Sequence, residues 1–222
     1  MRKFDEKELV YKLDKILKKE FGTNLSFHEF SAGYGIADLV FAPSFSFNKK
    51  IVKRSPITDF CSLSLLLTLE EGKIYTQNEI NTLVPQYSQR EVNRLLKSLV
   101  INNYMKKLNK DNYTKLELIN PLNPIKSVIA IEVKLSDHKK GLTQARRYQY
   151  FADESYLAIL KEAEKNINFE EFYNYNIGLI LFDTNKNKIE IKHPNQINKN
   201  YQNTVNLFAK EMMLSKFMSF AS

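Results

Sequence analysis

The chain has 222 residues, 43% apolar and 26% charged, enough for a buried core in one large domain or two small ones. One cysteine, Cys61, excludes an internal disulfide framework and a cysteine-built zinc finger, and no apolar run nears the roughly 20 residues of a membrane span. The net charge is +8, and residues 44–126, with thirteen Lys/Arg and seven Asp/Glu, hold six of those units, so a polyanionic partner is expected. The first residues are charged and lack an apolar signal core, which points to the cytoplasm.

Leu9, Val10, Leu13, Ile16 and Leu17 recur at helical spacing and predict a helix over 5–20, with Gly22 as its stop. Two strands follow at 25–30 and 36–41, and Pro43 ends the second. Residues 44–56 are polar and basic and read as a linker. A helical pattern spans 57–69. Thr76 caps a short helix that ends at Pro85. Ser88 and Glu91 have the spacing of a capping box at the start of a third helix. A strand, a turn at 109–112 and a second strand over 113–118 close the segment. Three helices and then a ribbon resemble a winged helix-turn-helix, with Asp111-Asn112 as the tip of the wing. Beyond the prolines at 121 and 124, α/β character returns. The pattern gives a strand at 127–135, a helix at 139–153, a strand at 155–160 and a weaker helix at 161–174. A hairpin over 177–192 and an amphipathic helix over 201–220 complete it. The expected fold class is therefore α/β, a mixed sheet flanked by helices, interrupted by an inserted module. The domain boundaries are 1–43 and 127–222 for the core and 44–126 for the insert.

Asp38 is an acid inside an otherwise apolar strand. Glu132 and Lys134, two residues apart on another apolar strand, point to one face. Buried charges of this kind cost several kcal/mol each unless they are paired or bind metal. Asp38 and Glu132 with the Val133 carbonyl form an oxygen donor set suited to Mg²⁺ or Mn²⁺. Lys134 beside them can polarise a water or neutralise phosphate charge. Such a set suits metal-dependent phosphodiester hydrolysis.

Gly-Ile-Ala-Asp-Leu-Val-Phe at 35–41, Ile-Ala-Ile-Glu-Val-Lys-Leu at 129–135 and Gln-Ala-Arg-Arg-Tyr at 144–148 together resemble the PD-(D/E)XK nuclease superfamily. The resemblance implies a restriction-endonuclease-like core and a divalent-metal-dependent endonuclease, with Asp38, Glu132 and Lys134 as catalytic residues. Gln144 and Tyr148 match the Gln-x-x-x-Tyr element of the branch similar to nuclease domains of recombination helicase-nucleases. They lie one helical turn apart and share a face. The family often adds a glutamate from its first helix to the metal. Here that is Glu6, placed inward by its spacing from Leu9, Val10 and Leu13, with Glu8 as the fallback. Two departures stand out. Ala37 replaces the proline of the motif, and 94 residues separate Asp38 from Glu132, a gap that the inserted module fills.

The insert is expected to bind duplex DNA. Its third helix would enter the major groove through Gln89, Arg90, Asn93, Arg94 and Lys97, with Val92, Leu95, Leu96 and Leu99 turned inward. Lys106, Lys107 and Lys110 on the ribbon would meet phosphates. Cutting both strands needs two active sites, so a homodimer is a candidate assembly. No glycine loop for phosphates is present, so no nucleotide cofactor is expected. His28, His138 and His193 are scattered and read as surface or supporting residues, and Cys61 as core. The competing reading is a non-catalytic DNA-binding or regulatory protein on a nuclease-like core.

Overall fold

A computed structural model describes residues 5–45, 55–116, 123–192 and 204–221. The linker positions 46–54, the end of the ribbon after residue 116, Pro121, His193 and the start of the terminal helix lie outside them. The chain divides into two compact units, Met1–Ser46 with Ile125–Lys210, and Phe47–Pro124 with Glu211–Ser222. The sequence boundaries after 43 and 126 fall within three residues of these. The sequence reading kept all of 127–222 in the core, whereas residues from Glu211 onward group with the insert.

The first unit is a mixed six-stranded sheet flanked by helices. Helix α1 (Glu6–Glu20) starts where Asp5 accepts the Glu8 N–H at 2.6 Å, with Glu6 and Glu8 in its first turn and Lys18 and Lys19 in its last, as the helix dipole favours. Leu9, Leu13 and Leu17 are fully buried on one stripe. Strands β1 (Ser26–Ser31) and β2 (Ile36–Phe41) form a hairpin.

The second unit comprises α2 (Phe60–Thr68), β3 (Ile74–Thr76), α3 (Gln77–Leu83), α4 (Gln89–Ile101), β4 (Met105–Lys107) and β5 (Asn112–Lys115). Its antiparallel sheet has the order β3-β5-β4. The predicted capping box of α4 is present, Ser88 Oγ accepting from the Glu91 N–H while Glu91 accepts from the Ser88 N–H. Thr76 and Glu79 form a second one on α3. Helix α2 begins three residues later than predicted because Asp59 caps it. Strand β3 was not predicted, being only three residues long. The fully buried Glu211 carboxylate accepts from the Ile57 N–H at 2.9 Å and from the Asn123 amide at 2.8 Å.

The chain returns to the large sheet with β6 (Ile129–Lys134), α5 (His138–Tyr148), β7 (Glu154–Leu160), a 3-10 helix (Lys161–Asn166), α6 (Phe169–Asn174), β8 (Gly178–Asp183) and β9 (Lys188–Lys192). The order is β1-β2-β6-β7-β8-β9, with β6, β7 and β8 parallel and the outer pairings antiparallel. One core cluster joins Leu9, Leu13 and Leu17 to Leu39, Ile131, Val133 and Ile180. Another joins Leu142 and Ala145 of α5 to Leu157, Ile159 and Leu181. Alternation along the strands thus gives each sheet face its own helix.

Two predicted helices change. That at 139–153 stops at Tyr148, and that at 161–174 breaks because Asn168 caps a new helix with its side chain. The last helix, α7 (Thr204–Ala221), contributes residues to both units and is not simply amphipathic, since it buries Asn206, Lys210 and Glu211 beside Met213 and Leu214. No described helix is long and apolar enough to cross a membrane.

Gly178 lies beside Tyr156 in the β7–β8 register, and a Cβ there would come within 2.2 Å of two ring carbons. Gly178→Ala should therefore destabilise the protein by about 1–3 kcal/mol, despite the usual gain from removing a strand glycine. Chemical denaturation checks this, and a variant as stable as wild type contradicts the packing.

Candidate active site

The β2–β6 ladder pairs Phe41 with Ile129, Val40 with Ala130 and Leu39 with Ile131. The next N–H, that of Val133, donates instead to Asp38 Oδ2 at 2.7 Å. The Asp38 carboxylate thus takes over a backbone donor where the pairing stops, as a buried N–H requires. The same geometry fixes the side chain where the β2–β6 pairing ends.

Glu132 is 1% exposed and faces two partners. Its Oε1 is 2.6 Å from Lys134 Nζ, and its Oε2 meets the Tyr148 hydroxyl. Lys134 Nζ also lies 2.9 Å from Glu6 Oε1 and donates to the Val133 carbonyl at 3.0 Å. The Tyr148 hydroxyl lies 2.7 Å from the Ile36 carbonyl as well. One phenolic proton thus has two acceptors within reach. Gln144 sits one turn before Tyr148 on α5, and its buried Oε1 has no hydrogen-bond partner among the described residues.

The electrostatics follow from burial and like charge. Burial pushes the Asp38 carboxyl above its ordinary range, and Glu6 and Glu29 add to this against the Val133 N–H and Lys134. Burial likewise raises Glu132, with the Asp38 charge adding and Lys134 and Tyr148 opposing. Burial works against the Lys134 ammonium, but Glu132, Glu6 and Asp38 outweigh it and hold the lysine above its usual value. Lys134 is therefore a cation at neutral pH. Burial, followed by the Glu132 carboxylate, raises the Tyr148 phenol and keeps it neutral.

A groove of about 350 Å³ opens beside Asp38, lined by Glu6, Lys7, Val10, Tyr11, His28 and Glu29 as well. Glu8 is absent from this lining. Glu29 was missed in the sequence. It lies between the pairs His28↔Leu39 and Phe30↔Ala37, which puts it opposite Asp38, and its φ of 49° is left-handed. Such backbone is uncommon outside glycine and clusters at functional sites. His28 Nε2 is 3.6 Å from Asp14, and His138 opens α5.

Asp38, Glu132, Glu6 and the Val133 carbonyl offer only hard oxygen donors, which fits Mg²⁺ or Mn²⁺ in chemistry. Among the described residues no three acidic, histidine or cysteine side chains form a ready metal cluster. Lys134 already engages Glu132 Oε1, Glu6 Oε1 and the Val133 carbonyl, so a cation there would share these groups with the ammonium.

In the second unit, α4 buries Val92, Leu95, Leu96 and Leu99 and exposes Gln89, Arg90, Asn93, Arg94 and Lys97. Asn93, Lys97 and Lys107 are brought together with Gln77, Val100, Ile101 and Tyr113 around a depression of about 400 Å³. Gln77, whose amide donates to Asn93, was not predicted. The Lys107 ammonium lies 5.4 Å from the centre of the Tyr113 ring. Gln89, Arg90, Arg94, Lys106 and Lys110 are exposed but do not line the depression. Arg94 lies 3.7 Å from Asp59.

The raised Asp38 carboxyl sets a testable sign. The folded chain holds this proton more tightly than the unfolded chain, so ionisation costs stability as pH rises past about 4, the ordinary carboxylate value. In metal-free buffer, Asp38→Asn should melt higher than wild type at pH 7, with the difference shrinking toward pH 3. A variant less stable at pH 7 contradicts the assignment.

Comparisons with protein-family models, with curated proteins and with solved structures give no match, so the functional reading rests on the residues themselves.

Proposed function

We propose that the first unit is a divalent-metal-dependent nuclease core of the PD-(D/E)XK type. The observation that carries this is Lys134, a charged ammonium held within 3 Å of Glu132 and Glu6 at the strand end where Asp38 replaces a ladder bond. A helix, a hairpin with Asp38, a strand with Glu132 and Lys134, and a helix with Gln144 and Tyr148 follow one another in the order that resemblance implies. This supports a restriction-endonuclease-like fold.

A divalent ion held by Asp38, Glu132 and the Val133 carbonyl, with Glu6 as a further ligand, would supply Lewis acidity to the scissile phosphate. Lys134, as a donor of protons in hydrogen bonds, would stabilise the charge that develops on phosphate oxygens and orient the attacking water. Tyr148 holds the Glu132 carboxylate in place. Glu29 and Asp38 add negative charge to the groove that a bound divalent ion would offset.

Between residues 55 and 116, the second unit has three helices and a three-stranded antiparallel sheet, which supports the winged-helix reading. Its Asn93, Lys97 and Lys107 surface suits a duplex backbone and groove edge. A second reading, a non-catalytic DNA-binding protein, draws on the ion pairs that already engage Lys134 with Glu132 and Glu6.

Incubation with plasmid, linear duplex and single-stranded DNA separates the two. Wild type should cut with Mg²⁺ or Mn²⁺ and not with EDTA, and Lys134→Ala should cut at least about 100-fold more slowly. No cutting by wild type, or equal cutting by the variant, contradicts catalysis. Lys97→Ala should weaken duplex binding and flatten its salt dependence by about one unit of slope. Unchanged binding would assign the second unit to another partner.

A further inference from the structure

Two tyrosines lie beside the candidate active site and take no part in it. Tyr34 is at the tip of the β1–β2 hairpin, and Tyr150 follows the end of α5. Their rings stack at 4.8 Å between centroids with 21° between planes. Tyr34 is 39% exposed and Tyr150 56%. Ile36, next to this tip, is 60% exposed. A stacked aromatic pair normally buries its faces, so this pair departs from ordinary core packing.

The loop is built to hold that presentation. Gly33 and Gly35 flank Tyr34 with φ of 95° and 107°, backbone that only glycine adopts without strain. A Cβ on Gly35 would sit 3.4 Å from the Tyr148 ring. The Tyr148 hydroxyl lies 2.7 Å from the Ile36 carbonyl and also meets Glu132. Tyr148 thus ties the hairpin tip to the acidic site. Tyr34 precedes Asp38 by four residues, in the turn before β2, and Tyr150 is two residues past Tyr148.

Charge accompanies the rings. Arg146 and Arg147 are exposed on the last turn of α5. The Arg146 guanidinium lies 3.8 Å from the centre of the Tyr175 ring, and Tyr175 is itself 40% exposed. Exposed aromatics interleaved with arginines are what a single-stranded nucleic acid needs, since bases stack on rings while cations follow the phosphates. A protein partner would need a broader apolar surface, and paired bases would have no free face to offer the rings.

We infer that Tyr34 and Tyr150 form a stacking platform for an unpaired nucleobase beside the scissile phosphate, which directs the site to single strands, overhangs or frayed ends. The inference rests on the nuclease reading for the phosphate's position only. The stacking itself needs neither metal nor cleavage.

Fluorescence anisotropy in EDTA tests it, with a short labelled single strand and the blunt duplex of the same sequence. Tyr34→Ala should bind the single strand roughly ten-fold more weakly, the loss expected for one stacked base, and Tyr34→Phe should bind within about two-fold of wild type. Duplex binding should be unchanged in both. Equal single-strand binding by Tyr34→Ala, an equal loss on both probes, or no single-strand binding by wild type would overturn the platform. A chain that cuts with Mg²⁺ while Tyr34→Ala binds like wild type refutes the platform alone. A chain that cuts nothing yet depends on Tyr34 for single-strand binding supports the platform and refutes the nuclease reading alone.

Discussion

One ammonium organises the acidic end of the large sheet. Lys134 is largely buried, with a side chain 11% exposed, and reaches Glu132 and Glu6 from the last residue of β6. Removing the Lys134 ammonium and the Glu132 carboxylate from water costs more than a single ion pair returns, unless further hydrogen bonds complete the set; Glu6 stays half exposed and adds a second ion pair. Here the Val133 carbonyl and the Tyr148 hydroxyl complete it, while the Val133 N–H serves the neighbouring Asp38. The groups come from four elements, with Glu6 on α1, Asp38 on β2, Glu132, Val133 and Lys134 on β6, and Tyr148 on α5. The cluster exists only when the helices on both sheet faces and the strand register are all correct.

Even so, the balance is uneven. Asp38, Glu132 and Glu6 outnumber Lys134, and Glu29 adds a fourth carboxylate nearby. Burial, with like charge adding to it, pushes the carboxyls of Asp38 and Glu132 upward. Stability alone would be better served by a smaller acidic set. A strained, over-acidic cluster at a strand end is the kind of feature that function retains against stability.

Part of this was legible in the sequence, because charges inside apolar strands are costly unless they are paired. Asp38, Glu132 and Lys134 stood out as charges in apolar strands, but it was the resemblance to the nuclease superfamily that joined them into one expected site and added Gln144 and Tyr148. Of the two candidates on α1, Glu6 is the one that meets Lys134. Glu29 stayed hidden because an acid beside His28 in a strand reads as an ordinary exposed position, and nothing in the residue signals a left-handed φ. Gln77 stayed hidden because its meeting with Asn93 depends on how α3 packs on α4. Polar residues buried in α7, Lys210 and Glu211 among them, defeated a period-based reading because their partners, Lys126, Asp153, Ile57 and Asn123, are far away in sequence. The basic charge of the middle segment was also only partly informative. Lys115 is buried and donates to the Leu69 carbonyl, while Lys97 and Lys107 share one surface.

The most direct measurement is phosphodiester cleavage by the purified chain across a Mg²⁺ titration, for wild type and Glu132→Gln. The account predicts a rate that saturates with Mg²⁺ in wild type and is lost when the carboxylate becomes an amide of the same shape. Cleavage that persists without divalent ions, or that survives Glu132→Gln unchanged, would contradict it.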